Sequence, residues 1–230
     1  MDPMLFGSRR RKPSRRQEWR EFARRLELTD ASQQDARLRD WFDLGDSPLS
    51  PLLSLRRKGQ PTLFFFDQER ERSGPAGTVT SLVTGALLRA PEPLAVASLR
   101  ALPRGNPVLE SIVAGRTGSR RLDLGELPDF DAQVSVFARD EEAARAWLTK
   151  PVQRVIQRML VGRGVTPTLV VGGWHMLTLC EGGDPAGFEA LESVATDLLT
   201  LFVMVEGTVA AAAPRAGAAT PQPDDGTGTG

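Results

Sequence analysis

Four apolar segments follow one another in the first half of the chain, and the connections between them are short. They occupy residues 52–57, 61–68, 78–88 and 94–102. A parallel pair of strands needs a crossover connection of about a dozen residues or more, usually a helix. Connections as short as residues 58–60, punctuated by Gly or Pro, instead suit hairpins. We therefore predict an antiparallel sheet.

Helical patterns flank these segments, which predicts an α+β fold of about six to eight strands packed against a few helices. A strand at residues 133–138 precedes a helix that Asp140 caps, and Pro151 should kink or restart that helix. Gly172 and Gly173 predict a hairpin turn, because two-residue turns need positive φ angles. Further helices are predicted over residues 14–28, 36–42 and 107–114, and in a C-terminal segment opened by Asp184 and Pro185.

One domain is expected, between two tails. Residues 1–13 are basic and lack apolar periodicity, and residues 208–230 are rich in Ala, Gly, Pro and Thr. Neither stretch has much apolar surface to bury, so both are predicted to be disordered. Residues 14–207 should form a single α+β domain that begins with the amphipathic helix 14–28.

Composition narrows the class of protein. The 29 basic and 29 acidic residues balance, so no net charge steers a partner towards the chain. Cys180 is the only cysteine, which excludes an intrachain disulfide and a thiolate metal cluster and favours a reducing compartment. No apolar run reaches the ~18–20 residues that span a bilayer. We therefore expect a cytoplasmic protein.

His175 and Cys180 are the sole histidine and cysteine, and together they are the candidate nucleophile–base pair. A Cys–His dyad needs the two side chains within hydrogen-bond reach. They are five residues apart on one predicted strand, so they should point to opposite faces of the sheet. We therefore predict no catalytic residue, no metal ligand and no cofactor site.

The segment GRTGSRR at residues 115–121 is the most phosphate-like stretch. Glycines expose backbone amides, and Arg binds phosphate through paired hydrogen bonds. Arg116, Arg120 and Arg121 are therefore candidate contacts for a phosphorylated small molecule. The segment lacks the spacing of a P-loop, so the alternative is a flexible loop with solvated arginines.

Two charged clusters are predicted to be surface features. Asp123, Glu126, Asp129 and Asp131 follow the arginine segment, and Asp129 and Asp131 would share one face of a strand. Carboxylates suit hard cations, but this spacing matches no EF-hand loop, and neighbouring arginines can neutralise the acids. Residues 67–72, DQERER, alternate in charge and are predicted to form a solvated hairpin end.

The basic N-terminus is the candidate interaction surface. Residues 1–28 hold nine basic and four acidic residues, a net charge of +5. The candidate contacts with an anionic membrane or a partner protein are Arg15, Arg16, Trp19, Arg20 and Phe22. Glutamates within the same helix can pair with its arginines, which weakens the case for binding to an anionic membrane and to nucleic acid alike. The competing interpretation is that the helix packs its Trp19 stripe on the sheet.

Three stretches resemble known proteins: GSRRLDLGELPDF at 118–130, QVSVFARDEEAARAWL at 133–148 and LVVGGWHMLTL at 169–179. In them the chain resembles uncharacterised conserved bacterial proteins of high-GC lineages, which have no assigned activity. The resemblance implies a shared scaffold and transfers no functional residue.

The main hypothesis is a noncatalytic interaction or scaffold domain, peripheral to the inner membrane through its basic helix. One alternative is an enzyme or binding protein for a phosphorylated small molecule, acting through residues 115–121. The other is nonspecific nucleic-acid binding, which is the least favoured.

Overall fold

The computed structural model describes residues 14–42, 44–74, 77–94, 98–105, 107–125, 128–161, 166–181 and 187–212. The helices are α1 Arg15–Leu26, α2 Asp35–Phe42, α3 Pro107–Thr117, α4 Pro128–Gln133, α5 Glu141–Trp147, α6 Lys150–Leu160 and α7 Phe188–Ala212. The strands are β1 Thr29–Asp30, β2 Leu49–Leu55, β3 Thr62–Gly74, β4 Gly77–Arg89, β5 Ser98–Pro103, β6 Arg120–Leu122, β7 Val134–Ala138, β8 Thr166–Gly172 and β9 His175–Glu181.

All nine strands of the described chain form one sheet, in the order β1-β2-β3-β4-β9-β8-β5-β7-β6. Every neighbouring pair is antiparallel. The predicted α+β class is confirmed. The strand count exceeds the prediction because the two-residue β1 and the three-residue β6 are too short to produce an alternating pattern.

The two faces of the sheet carry different helices. The first face, which holds Leu63 and Phe65 of β3, packs against α1, α5, α6 and α7. The second face, which holds Phe64 and Phe66, packs against α2 around Leu38. At the β6 side of the sheet, α3 covers the second face through Val113. Buried side chains thus alternate along β3, as expected of a strand covered on both faces.

Helix α1 begins as its sequence predicts. Ser14 and Gln17 form the predicted capping box, which satisfies amides of the first turn. The helix ends at Glu27, which adopts the left-handed conformation. Trp19 and Phe22 are buried in the core of the first face. The interpretation in which this stripe packs on the sheet therefore describes the fold.

Gly85 is fixed by close packing on the second face. It lies directly opposite Phe66 in the register of β3 and β4. The Phe66 ring covers it so closely that an added Cβ would approach the ring to 2.3 Å. Glycine is therefore required here by a ring lying on the backbone.

Two predicted helix boundaries are refined. The predicted interruption at Pro151 is present, since α5 ends at Trp147 and α6 restarts after Thr149 with the proline in its first turn. The last helix extends to Ala212, five residues into the segment predicted to be a tail, because alanines follow Gly207. Residues 1–13 and 213–230, and the predicted cap at Asp184 and Pro185, lie outside the described residues.

The predicted hairpin is present, but its turn is shifted by one residue. Gly172 pairs with His175, so Gly173 and Trp174 form the turn and Gly173 has the positive φ. Ala90 donates its backbone N–H to the Trp174 carbonyl at 2.8 Å, which ties the turn to the end of β4. Within the described residues, none of the helices combines the length and apolar character needed to cross a bilayer.

Candidate anion-binding site

The residues predicted for a membrane or partner contact divide into two groups. Trp19 and Phe22 are 4% and 2% exposed, so both are core residues in this fold. Arg15 is half-buried and bound to Asp67. Arg16 and Arg20 are exposed and line a groove of about 920 Å³ beside β3 and β4. The apolar half of the predicted surface is therefore already used by the core.

Asp67 is the residue that holds α1 at its first turn. Its carboxylate accepts hydrogen bonds from Arg15, from Trp19 Nε1 at 2.5 Å and from Thr84 Oγ1 at 2.7 Å. Asp67 is 3% exposed and Gln68 is 1% exposed. The prediction that residues 67–72 form a solvated hairpin end is wrong for these two. Their partners lie in distant segments, which charge alternation alone does not reveal.

The arginine segment is a loop only at Gly118 and Ser119, so most of the predicted loop is in regular structure. Gly115, Arg116 and Thr117 close helix α3, and Arg120 and Arg121 lie in β6. Adjacent strand residues point to opposite faces, so Arg120 and Arg121 do not converge on one ligand. Arg121 approaches Glu110 at 3.8 Å, and the Arg116 side chain lies outside the described residues.

The acidic cluster also differs from its prediction. Asp129 and Asp131 lie in helix α4 rather than on a strand, because Pro128 begins a helix there. The Asp131 carboxylate accepts a hydrogen bond from the backbone N–H of Gly125 at 2.7 Å. The Asp131 backbone carbonyl accepts one from the Arg104 guanidinium at 2.6 Å. A hollow of about 490 Å³ lies between Arg104, Arg121, Leu122, Asp123 and Asp131. Its described lining holds two arginines and two aspartates, so these residues favour neither sign of charge.

No group of acidic, histidine or cysteine side chains within the described residues is arranged to hold a metal ion. Glu126, the remaining member of the predicted acidic cluster, lies outside these residues.

His175 and Cys180 lie on opposite faces, as their spacing predicts. Met176 and Leu177, the neighbours of His175 along β9, belong to the cores of the first and second face respectively. By the same alternation His175 lies on the second face and Cys180 on the first. His175 packs against Trp41 and Phe42 of α2, with ring centroids 4.6 and 5.1 Å away.

A pocket of about 690 Å³ opens on the second face beside α2, and we refer to it as the arginine–tryptophan pocket. Its floor is a row of directly paired residues on four neighbouring strands: Arg89, His175, Gly172 and Ser98. At ~4.8 Å between strands, the row spans about 14 Å. Gly172 has no side chain, so the floor is lowest between His175 and Ser98.

Three arginines from three different elements line the pocket. Arg37 comes from α2, Arg89 from β4 and Arg100 from β5. The Arg37 and Arg89 guanidinium carbons lie 4.4 and 5.2 Å from the ring centroid of Trp41, within cation–π range. The described residues that line the pocket include no acid. The described lining therefore places Arg37 and Arg89 beside apolar side chains such as Trp41 and Val170.

The positive charges of the pocket affect the pKa of His175. Burial of the ring, followed by the charges of Arg89 and Arg37, lowers the pKa of His175 from 6.5 to about 4. The imidazole is therefore neutral at pH 7. Its Nε2 atom is buried and has no hydrogen-bond partner among the described residues. Arg37 and Arg89 thus supply positive charge to the pocket, and the neutral histidine adds none.

Sequence reasoning missed this site because its members are far apart along the chain. The available signals were the spacing of Arg37 and Trp41, four residues apart on one helix, and a tryptophan beside a glycine turn.

No protein-family model matches the chain, and neither a curated protein nor a solved structure is significantly similar to it. Function is therefore inferred from the geometry of the pocket.

Proposed function

We propose that the protein is a noncatalytic binding domain that holds a phosphate-bearing small molecule in the arginine–tryptophan pocket. The observation that carries this proposal is the convergence of Arg37 and Arg89 on a pocket whose described lining contains no acid. Guanidinium groups bind phosphate through paired, charge-assisted hydrogen bonds. The volume of about 690 Å³ falls in the range of small-molecule sites.

The electrostatics of the pocket favour binding over catalysis. A general base works best when its pKa lies near the working pH. His175, with a pKa of about 4, is a weak base at pH 7. Cys180 lies on the other face of the sheet, so it cannot act as a nucleophile on a ligand in this pocket.

This proposal keeps one hypothesis from the sequence and moves its site. A phosphorylated small molecule, which was an alternative to the main hypothesis, becomes the proposed ligand class, and Arg37 and Arg89 replace Arg116, Arg120 and Arg121. The membrane-peripheral scaffold remains the competing proposal, and of its expected contacts Arg16 and Arg20 are exposed. A lipid headgroup and a soluble ligand present the same phosphate chemistry, so the test must separate the two sources.

The test uses isothermal titration of the full chain with pyrophosphate, glucose 6-phosphate and ADP. Removing one charge-assisted hydrogen-bonding group costs about 1.5–3 kcal/mol, or roughly 10- to 150-fold in affinity. Arg89→Gln and Arg37→Gln should each weaken binding by at least about tenfold. The matched control is Arg120→Gln, an exposed arginine of the same sheet, which should bind like the parent chain.

A second arm tests the membrane source by sedimentation with vesicles of phosphatidylglycerol and of phosphatidylcholine. If soluble phosphates do not bind while Arg16→Gln and Arg20→Gln abolish sedimentation with the anionic vesicles, the pocket proposal is wrong. Binding of soluble phosphate that is lost in the pocket variants and retained in Arg120→Gln supports it.

A further inference from the structure

We infer that the ligand of the arginine–tryptophan pocket is a free nucleotide, whose phosphates bind the arginines and whose base stacks on Trp174. This inference rests on the proposed function and names its ligand class. It is carried by the position and exposure of Trp174. The side chain is 45% exposed at the turn between β8 and β9, and it lines the same pocket as the arginines.

Trp41 and Trp174 have different roles in this arrangement. The ring of Trp41 is already approached by Arg37, Arg89 and His175 at 4.4, 5.2 and 4.6 Å between centres. Trp41 therefore orients the arginines and leaves little ring surface for a ligand. Trp174 keeps an exposed ring at the rim, and an exposed aromatic ring stacks on any nucleobase.

The backbone that carries Trp174 is held in place from outside the turn. Ala90 donates its N–H to the Trp174 carbonyl at 2.8 Å, and Leu94 donates its N–H to the Gly173 carbonyl at 2.5 Å. The preceding residue pair, Gly172 and His175, belongs to the floor of the pocket. A stacking surface whose backbone is already ordered loses less conformational entropy when a ligand binds.

The distribution of charge and ring surface fits a nucleotide better than a compact phosphate ester. Arg89 and Arg37 gather at one end of the row, beside Trp41. Trp174 lies in the turn between β8 and β9, next to the arginine end of the row, since it precedes His175, the residue that pairs with Arg89. A ligand that carries both a phosphate and a flat ring can contact the arginines and Trp174 at once, whereas a phosphate ester without a ring uses only the arginines.

The experiment compares ADP, ribose 5-phosphate, pyrophosphate and adenosine by isothermal titration of the full chain. ADP should bind about tenfold or more tightly than either phosphate compound that lacks a base. Trp174→Ala should abolish that advantage while leaving the affinity for pyrophosphate within about twofold. Trp174→Phe, which keeps an aromatic face, should retain most of it. Because the side chain is exposed, the variants should melt like the parent chain.

The outcomes separate this inference from the proposed function. Equal affinity for ADP and pyrophosphate, together with no effect of Trp174→Ala, would overturn the nucleotide and leave the phosphate pocket. Failure of every phosphate compound to bind overturns both. A single-stranded oligonucleotide distinguishes the polymer source. Tighter, strongly salt-dependent binding of the oligonucleotide that also requires Trp174 would overturn the free nucleotide as the ligand.

Discussion

Arg15 and Asp67 are joined by two parallel N–H···O hydrogen bonds, of 2.9 and 3.0 Å, between the first turn of α1 and the middle of β3. Thr84 completes the arrangement, because its hydroxyl accepts from Arg15 and donates to Asp67. A carboxylate that is 3% exposed requires this number of donors. The pair therefore fixes the position of the helix whose basic residues were expected to bind a partner.

Asp67→Asn should destabilise the protein by about 2–4 kcal/mol, because it leaves the Arg15 guanidinium and the Trp19 indole without their charged acceptor. Urea denaturation followed by tryptophan fluorescence measures the change. Glu69→Gln, on the same strand face but exposed, is the matched control and should shift the midpoint little. Equal midpoints for the two variants would contradict the role assigned to Asp67.

Gly85→Ala should destabilise the protein by about 1–3 kcal/mol or more, since the new methyl group collides with the Phe66 ring. The same substitution at Gly115, in helix α3, should be neutral or slightly stabilising, because the added carbon meets nothing within 4 Å beyond the local helix backbone. Thermal melts of the two variants test the difference. Adding Phe66→Leu to Gly85→Ala should recover part of the loss, and failure to do so would place the strain elsewhere.

His175 should make the protein less stable in mild acid. Its pKa falls from 6.5 to about 4 in the folded chain, chiefly through burial. Between these two pH values the unfolded chain binds a proton that the folded chain does not, so the free energy of unfolding decreases as pH falls. Above about pH 7.5 the group has no such effect.

Urea denaturation at about pH 7.5 and about pH 5 measures this loss, which should be smaller in His175→Gln than in the parent chain. Both chains share their carboxylates, so the difference between them reports the histidine. Identical losses in the two chains would show that the imidazole titrates at its ordinary pKa.

Cys180 should be protected from thiol reagents in the folded protein. It is buried at 3% exposure and is the sole cysteine, so labelling reports one site. Reaction with a chromogenic disulfide reagent should be at least about a hundredfold slower in buffer than in concentrated urea. Rapid stoichiometric labelling of the native chain would contradict the burial.

Periodicity predicted the elements that have strong local patterns. The capping box at Ser14, the cap at Asp140 and the hairpins of β2, β3 and β4 all depend on residues close together in the sequence. The predicted next hairpin is absent, because β5 pairs with β7 and β8 instead of β4. Asp67 was misassigned because its partners, Arg15 and Thr84, come from other segments. The arginine–tryptophan pocket was missed for the same reason, since register across four strands places Arg89 beside His175. A local sequence pattern predicts a single helix or strand, whereas a binding site depends on which helices and strands lie next to one another.

The pairing of β4 with β9 affects the order in which the strands of the sheet can come together. One edge of β4 pairs with β3, but on the other edge residues 83–89 pair with residues 175–181, which are synthesised after all the intervening strands. During synthesis on the ribosome, β1 to β4 can pair early, but the backbone edge of β4 that faces β9 stays unpaired until β9 emerges. Such nonlocal closure slows folding. A chain truncated before residue 175 would expose that edge permanently and should aggregate.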